Sequence, residues 1–392
     1  MKIAIVGGGP AGLYFARLMK RRDPRHEIVV VEQNPEGATY GFGVAMGDKA
    51  VERLRAADAE LTARIEAAMV FEHRQDIRLD GECVRLAYAD RGGAIERLEL
   101  LSILTEGCRE IGIAVEHNTR VETIERFAGW DLVVAADGAN SAVRRQFAAD
   151  FGTRSYNVTN YLAWYGLARP LVPNGLAFRR FEGGYYVGHY YAYTASMSTF
   201  VAECDAQTWR ESGLAEMAEP ERRAHMERVF APELKGASLI DNKSNFRNLP
   251  VTTNERWHHG NVVLMGDALR SAHPSIGSGT RLAMDDAGAL FQALCEKGDD
   301  VAAALPRFVE IRRPVRERFG VAMERSFMWY ERLRTVMQQP ILDFTYDFLM
   351  RTGRIDDARL AVYAPDFYRE YKAYRAARAA APAELRISSR VQ

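Results

Sequence analysis

The 392-residue chain exceeds the ~250–300 residues that one hydrophobic core fills, so two cores, or one large domain with an insertion, are expected. Hydrophobic content of 47% and charged content of 27% belong to an ordinary globular protein. Lys+Arg and Asp+Glu balance at 52 each, which excludes a global field drawing the chain to nucleic acid or to an anionic membrane.

No apolar run approaches the ~18 residues of a membrane span, and Met1–Val6 lacks the layout of a signal peptide, so a cytoplasmic location is expected. The four cysteines are scattered without a C-x-x-C, and the eight histidines without an H-x-x-x-H. Neither a disulfide framework nor a metal site is expected.

In chain order, Ile3-Ala4-Ile5-Val6 reads as a buried parallel strand running directly into Gly7-Gly8-Gly9-Pro10-Ala11-Gly12. Gly7, Gly9 and Gly12 fit G-x-G-x-x-G, and an amphipathic helix follows. A second strand, Ile28–Val31, ends in Glu32. The parts divide the work of binding: Gly7 makes the tight turn, Gly9 lets backbone approach a pyrophosphate, Gly12 lets helix and strand pack closely, and Glu32 accepts from a ribose hydroxyl. The helix N-terminus holds the phosphate. The ligand is an adenine dinucleotide, and this pattern alone does not separate NAD from FAD.

Another buried strand, Leu132–Ala136, leads to Asp137-Gly138. Much later Asn261–Met265 empties into Gly266-Asp267, a loop with Pro274, Gly277 and Gly279, and a helix from Thr280. A plain NAD dehydrogenase has no need of this second glycine turn. A longer cofactor with a ribityl chain and an isoalloxazine ring does: Asp267 suits ribityl hydroxyls, and the N–H groups of Gly277 to Thr280 suit the ring edge where charge collects on reduction.

Between those motifs the residues alternate. Tyr185, Val187, His189, Tyr191 and Tyr193 interleave with Tyr186, Gly188, Tyr190 and Ala192, and Ser198–Cys204 continue the pattern. With Tyr161–Gly166 and Ala177–Phe181 this predicts an antiparallel sheet inserted into an α/β domain. Aromatic walls with a few polar tips suit a planar aromatic substrate, and His189 suits orienting or deprotonating a phenol or an indole N–H. From Arg307 the chain is helical and basic. Most of it, including Arg312-Arg313-Pro314, reads as a solvated face, with Arg351 and Arg354 as candidates for a CoA-phosphate rim.

The N-terminal fingerprint, Asp137-Gly138, and Gly266-Asp267 with Pro274, Gly277 and Gly279 together resemble the three motifs of the single-component FAD-dependent aromatic hydroxylases, the para-hydroxybenzoate hydroxylase class. They occur in the usual order and cover roughly residues 1–330. Within the class, Gly9–Ala16, Gly41-Phe42-Gly43-Val44, His189–Tyr193, Ser198–Val201 with Glu203, and Ser275–Thr280 resemble the branch of salicylyl-CoA and 2-aminobenzoyl-CoA hydroxylase domains and violacein-pathway hydroxylases. Two positions depart from the family pattern: Arg270 stands where His is usual, and Arg281 where Asn is usual.

The resemblance implies an α/β fold, α+β overall: a Rossmann-like FAD-binding domain (1–70, 93–155 and 260–335), an inserted antiparallel substrate-binding sheet domain (71–92 and 156–259), and a helical C-terminus (336–392). It implies a monooxygenase that hydroxylates an aromatic substrate, an aryl-CoA thioester or an indole-type metabolite, through a C4a-hydroperoxyflavin. FAD is the implied cofactor, NADH or NADPH the co-substrate, and O2 the oxidant; the protein is expected as monomer or homodimer. Reductase, oxidase or halogenase chemistry on the same scaffold is the alternative, although no G-W-x-W-x-I-P stretch supports halogenation. The implied FAD contacts are Gly7, Gly9, Gly12, Glu32, Arg97, Asp137, Asp267, Gly277, Gly279 and Thr280. His189 and Pro274 are the implied catalytic residues, and Tyr186, Tyr191, Tyr193 and Phe42 line the substrate chamber.

Overall fold

The computed structural model describes residues 1–39, 41–271 and 273–380. The apolar N-terminal strand Lys2–Val6 lies inside a six-stranded sheet, between Leu132–Ala135 and Glu27–Val31. Val262–Leu264 continues the sheet beyond Leu132–Ala135, and Ala114–Glu116 closes the other edge. All of these pairs are parallel; only the edge pair His258–His259 with Val262–Leu264 is antiparallel. Parallel strands are buried on both faces and therefore read as continuous apolar runs. Ile3, Ile5, Val30, Val134 and Val263 accordingly join one core with Phe15, Leu104 and Leu290 of the covering helices Pro10–Arg22, Arg97–Arg109 and Gly279–Glu296.

The register has a consequence at the carboxyl edge. Val6 pairs with Ala135, and Ala135 with Leu264, so three neighbouring strands end level. Gly7, Asp137 and Gly266 all leave the sheet at one place. This is the edge at which open α/β sheets bind ligands.

The predicted insertion is an eight-stranded sheet in the order Leu239–Ile240, Tyr161–Leu167, Ser198–Cys204, Gly184–Ala192, Asn174–Phe181, Val70–Leu79, Glu82–Glu96, Gly43–Gly47. It is antiparallel throughout, except that Asn174–Phe181 runs parallel to Val70–Leu79. The strand Gly43–Gly47, expected with the first domain, belongs instead to this sheet, because Gly43 to Gly47 pair with Glu96 to Gly92.

Each face of the sheet has its own cover. Tyr165, Tyr186, Tyr190 and Phe200 pack beneath Met226, Val229 and Phe230 of the segment around helix Glu219–Val229. On the other face Ile77, Leu176, Phe178 and Val187 pack against Trp329, Phe344, Phe348 and Phe367. The C-terminal helices Ile341–Met350 and Pro365–Ala380 are thus bound to the sheet by an aromatic core. The basic helix around Arg312 differs from the sequence expectation. Within Val301–Tyr330, Arg312 and Arg316 are 5% and 3% exposed. They face inward because a buried carboxylate, Asp286, awaits them. Among the described residues no helix is long and apolar enough to cross a membrane.

Candidate active site

The first turn is closed on two sides and open on the third. Gly7 has φ +113°, and an ideal Cβ there would lie 2.3 Å from Ala136 O, so no side chain fits. A Cβ at Gly12 would lie 2.2 Å from Gly7 O. At Gly9 nothing stands within 4 Å of that position, so the space before the N-terminus of helix Pro10–Arg22 is clear. Glu32 ends the second strand with its carboxylate held across the turn: Gly8 N–H donates to Oε2 at 2.8 Å, and Asn34 donates to Oε1 through its N–H (2.8 Å) and side chain (2.6 Å).

The second turn meets the first. Gly266 has φ +64°, and a Cβ there would lie 3.2 Å from Ala283 Cβ and 3.8 Å from Ala11 Cβ. It therefore sits between the first turns of helices Pro10–Arg22 and Gly279–Glu296. Its N–H donates to Asp286 Oδ2 at 3.0 Å, and Arg316 donates to its carbonyl at 3.1 Å. Arg312 (2.6 Å) and Arg316 (3.0 Å) both donate to Asp286 Oδ1, so a fully buried carboxylate fixes this turn. Arg144 Nη1 donates to Ala268 O at 3.0 Å and Nη2 to Ala139 O, tying the Asp137 loop to the Gly266 loop.

Asp137 accepts from Ala142 N–H at 2.7 Å through Oδ2. Its Oδ1 is buried without a partner, and burial pushes its carboxyl above the usual range. Arg97 donates to Thr39 Oγ1 at 3.0 Å, while its backbone N–H donates to Phe42 O at 2.8 Å. Burial lowers the pKa of its guanidinium, opposed by the charges of Asp267 and Glu32. Gly277 N–H already donates to Pro274 O at 2.8 Å. The free N–H groups at the start of helix Gly279–Glu296 therefore begin beyond Gly277.

Of the two departures, Arg281 donates to Asp285 at 3.3 Å and lies over the Phe319 ring at 4.6 Å. Arg270 packs at Gly320, where an added Cβ would meet its guanidinium.

Cross-strand register sorts the aromatic sheet residues. Trp164, Val201, His189 and Leu176 are direct neighbours across four strands and share one face. Tyr191 shares that face, and its hydroxyl donates to Gly43 O at 2.8 Å while Gly43 N–H donates to Thr199 Oγ1 at 2.8 Å. Phe42 lies over Gly166, where a Cβ would fall 2.3 Å from its ring, and Tyr193 packs under Gly43 in the same way at 2.7 Å. Tyr186 does not join them. It is one residue out of phase, fully buried on the opposite face, with its hydroxyl 2.9 Å from His225 Nε2. A strand's period of two puts residues 186 and 189 on opposite faces.

Beside His189 stands a group that sequence reading did not assemble. Glu203, 2% exposed, has Oε2 3.5 Å from His189 Nε2 and accepts from Asn160 Nδ2 at 2.8 Å. His273, just before Pro274, is 4% exposed and accepts from Ser275 N–H through Nδ1 at 3.2 Å. Tyr330 stands 5.3 Å from the His189 ring, centroid to centroid. Tyr330 OH, Ser275 Oγ, Trp164 Nε1 and Asn160 Oδ1 are all buried without a hydrogen-bond partner. Buried polar atoms are nearly always paired, so such a concentration marks a place for a ligand. One signal was available: a Glu directly after the apolar run Phe200-Val201-Ala202, in a strand whose residues are all buried.

Among sequence families, an FAD binding domain matches residues 130–320 and an NAD(P)-binding Rossmann-like domain matches residues 5–39. The salicyloyl-CoA 5-hydroxylase of a Streptomyces species is 34% identical over 372 residues, covering 92% of this chain and 71% of that protein. A 3-hydroxy-4-methyl-anthranilyl-[aryl-carrier protein] 5-monooxygenase from Streptosporangium sibiricum is 37% identical over 361 residues, covering 92% and 97%. The chain belongs to the FAD-dependent aromatic monooxygenases. Its fold is also that of 2-methyl-3-hydroxypyridine-5-carboxylic acid oxygenase, with TM-score 0.68 at 18% identity over 92% of this chain and 95% of the other. FAD is thus the cofactor of this monooxygenase and NAD(P)H its reductant. The open space at Gly9, the two convergent turns and the unpaired Asp137 oxygen fit such a dinucleotide.

Proposed function

We propose that this monooxygenase hydroxylates an electron-rich benzoyl group carried as a thioester on phosphopantetheine, with coenzyme A as the simplest carrier. The observation that carries this reading is a cationic cluster beside the flavin loop. Arg281 and Arg354 both lie over the Phe319 ring, at 4.6 and 4.2 Å. Arg53 binds Asp285 at 3.0 Å, and Asp285 also takes Arg281. Burial lowers the Arg281 guanidinium to about 10, with Arg53, Arg354 and Arg312 acting in the same direction. Like charges held this close favour a phosphate, and Arg is suited to bind one. Arg351, expected on the same rim, turns inward instead and donates to Ser275 O at 3.0 Å. The two relatives named above act on aryl groups in CoA or carrier-protein linkage.

In this reading Gly7, Gly9 and Gly12 seat the pyrophosphate, Glu32 the ribose, and Asp267 the ribityl chain. Arg97 and Asp137 flank the cofactor, and the N–H groups of Ser278 to Thr280 face its ring. FAD held there would supply hydride acceptance from NAD(P)H and activation of O2 for transfer of one oxygen atom. The chain's own part is placement and exclusion of water. Tyr191, Tyr193 and Phe42 fix the Gly41–Gly43 segment that closes one wall. His189 takes a proton from the substrate's ring hydroxyl or amino group, which raises electron density at the ring carbon to be attacked.

The test is NAD(P)H oxidation stimulated by salicyloyl-CoA or 2-aminobenzoyl-CoA, with label from 18O2 in the product. Free acids that serve as well as thioesters, or electrons recovered wholly as H2O2 with every thioester, would remove the reading.

A further inference from the structure

Two neighbouring strands and a loop distant in sequence bring ionisable side chains together at one buried point. Glu203 comes from the strand Ser198–Cys204, His189 from Gly184–Ala192, and His273 from the loop leading into Pro274–Ile276. Other polar and charged groups face the cluster from the elements packed against it. Asn160 precedes the strand Tyr161–Leu167, while Tyr330 ends the helix Val301–Tyr330 and Glu331 follows it. Arg351 lies 5.8 Å over the Tyr330 ring.

The hydrogen bonds decide how the imidazoles are loaded. His273 Nδ1 accepts from Ser275 N–H, so a neutral His273 carries its proton on Nε2. Glu331 is occupied at the edge, accepting from Thr159 N–H at 2.8 Å and Asn160 N–H at 3.1 Å. Glu203 Oε1 accepts from Asn160, which leaves Oε2 facing His189 Nε2 at 3.5 Å. Burial by itself would push the Glu203 carboxyl up, yet His189 and Asn160 hold it below the ordinary range. Burial holds His273 below the ordinary imidazole value, so it stays neutral there. A buried carboxylate kept ionised beside an imidazole is the arrangement that orients a base and stabilises its protonated form.

We propose that Glu203 is a positioning residue for the hydroxylation: it keeps His189 with Nε2–H towards its carboxylate and Nδ1 free to take the proton of the substrate's ring substituent. The inference rests on the proposed hydroxylase reading. In the step, the substrate O–H or N–H bond breaks and an Nδ1–H bond forms. The electron pair stays on the ring substituent, and the positive charge on His189 is balanced by Glu203. His273, at the start of the loop that leads into Pro274–Ile276, lies close enough to feel the charge of Glu203.

Two measurements on the FAD-loaded protein test this. In the first, 15N-histidine NMR follows the titration of each imidazole in the wild type and in Glu203→Gln, with His189→Gln assigning the signal. The titration midpoint of His189 is expected to fall by half a pH unit or more in Glu203→Gln; an unchanged midpoint overturns the proposal without any substrate being used.

In the second, salicyloyl-CoA turnover is compared with that of a fluorinated analogue whose ring hydroxyl is more acidic. Glu203→Gln is expected to lower kcat by about tenfold to hundredfold, with unchanged FAD content and a KM within about threefold. The acid limb of its pH profile moves to lower pH, and the loss shrinks for the fluorinated substrate because less proton abstraction is needed. An equal loss for both substrates with an unmoved acid limb describes a merely structural residue and overturns the proposal. A wild-type enzyme silent towards every thioester removes the substrate reading, while the NMR titration still decides the dyad.

Discussion

Gly266 lies against Ala11, with its ideal Cβ position 3.8 Å from the Ala11 Cβ, although the two residues stand at opposite ends of the α/β domain in sequence. That contact brings the two glycine turns together, as a single cofactor spanning both would require. It also makes the turns separable by mutation. Gly9→Ala has backbone room (φ −78°, nothing within 4 Å). It is expected to fold with an unchanged Tm but to purify with less flavin, read from the 450 to 280 nm absorbance ratio. Gly12→Ala, blocked at 2.2 Å by Gly7 O, is expected to lose both flavin and stability. Equal Tm losses in the two variants would mean that the space before Gly9 is not the pyrophosphate site.

Asp286→Asn should test the anchor beneath the second turn. It leaves Arg312 and Arg316 buried without their counter-charge, and loss of one partner from a buried pair costs about 3–5 kcal/mol. Urea unfolding of apo protein reads the loss. A change below about 1 kcal/mol would show that the arginines find other partners.

Tyr186→Phe separates the two faces of the sheet. The hydroxyl meets His225 and no residue of the His189 face, so the variant is expected to lose about 1 kcal/mol of stability and to keep kcat/KM unchanged. A tenfold fall in kcat/KM would put Tyr186 in the chamber after all.

Stability should decline with acidification. Burial holds His26, His225, His258 and His273 below the ordinary imidazole value. Below about 6.5 the unfolded chain therefore binds protons that the folded chain refuses, and each such group takes away up to ~1.4 kcal/mol per pH unit until its folded value is reached. Their stabilisation is complete above that pH and lost beneath it. Thermal melts from pH 7.5 to 5 should show Tm falling, and His273→Gln should flatten the fall.

Asp267→Ala is expected to weaken FAD retention, because removing that carboxylate leaves the Arg97 guanidinium less compensated at the cofactor's flank. Full flavin occupancy after gel filtration would take Asp267 out of the site.

The legible parts of this protein were those set by short stretches of chain. Val6 runs into Gly7 whatever lies elsewhere, and a strand apolar on both faces must be covered on both, so the dinucleotide turn, the second glycine turn and the FAD chemistry follow from local sequence. Alternation likewise fixed that two sets of sheet residues exist. It did not fix which cover each set meets, since Tyr186 and His189 are equally aromatic and polar. Only the packing of Phe230 on one side and Trp329 on the other settled that.

Charge misled for a related reason. Arg312 reads as solvated because a lone cation belongs in water, and its burial depends on Asp286, 26 residues away in sequence but in contact in space. Glu203, His189, His273 and Asn160 likewise come from separate strands and loops. Sequence determines what each segment can bury; which buried charges meet is decided only when the sheet, the flavin loop and the long helix close on one another, since the energy of a pair depends on a distance that exists only in the folded chain.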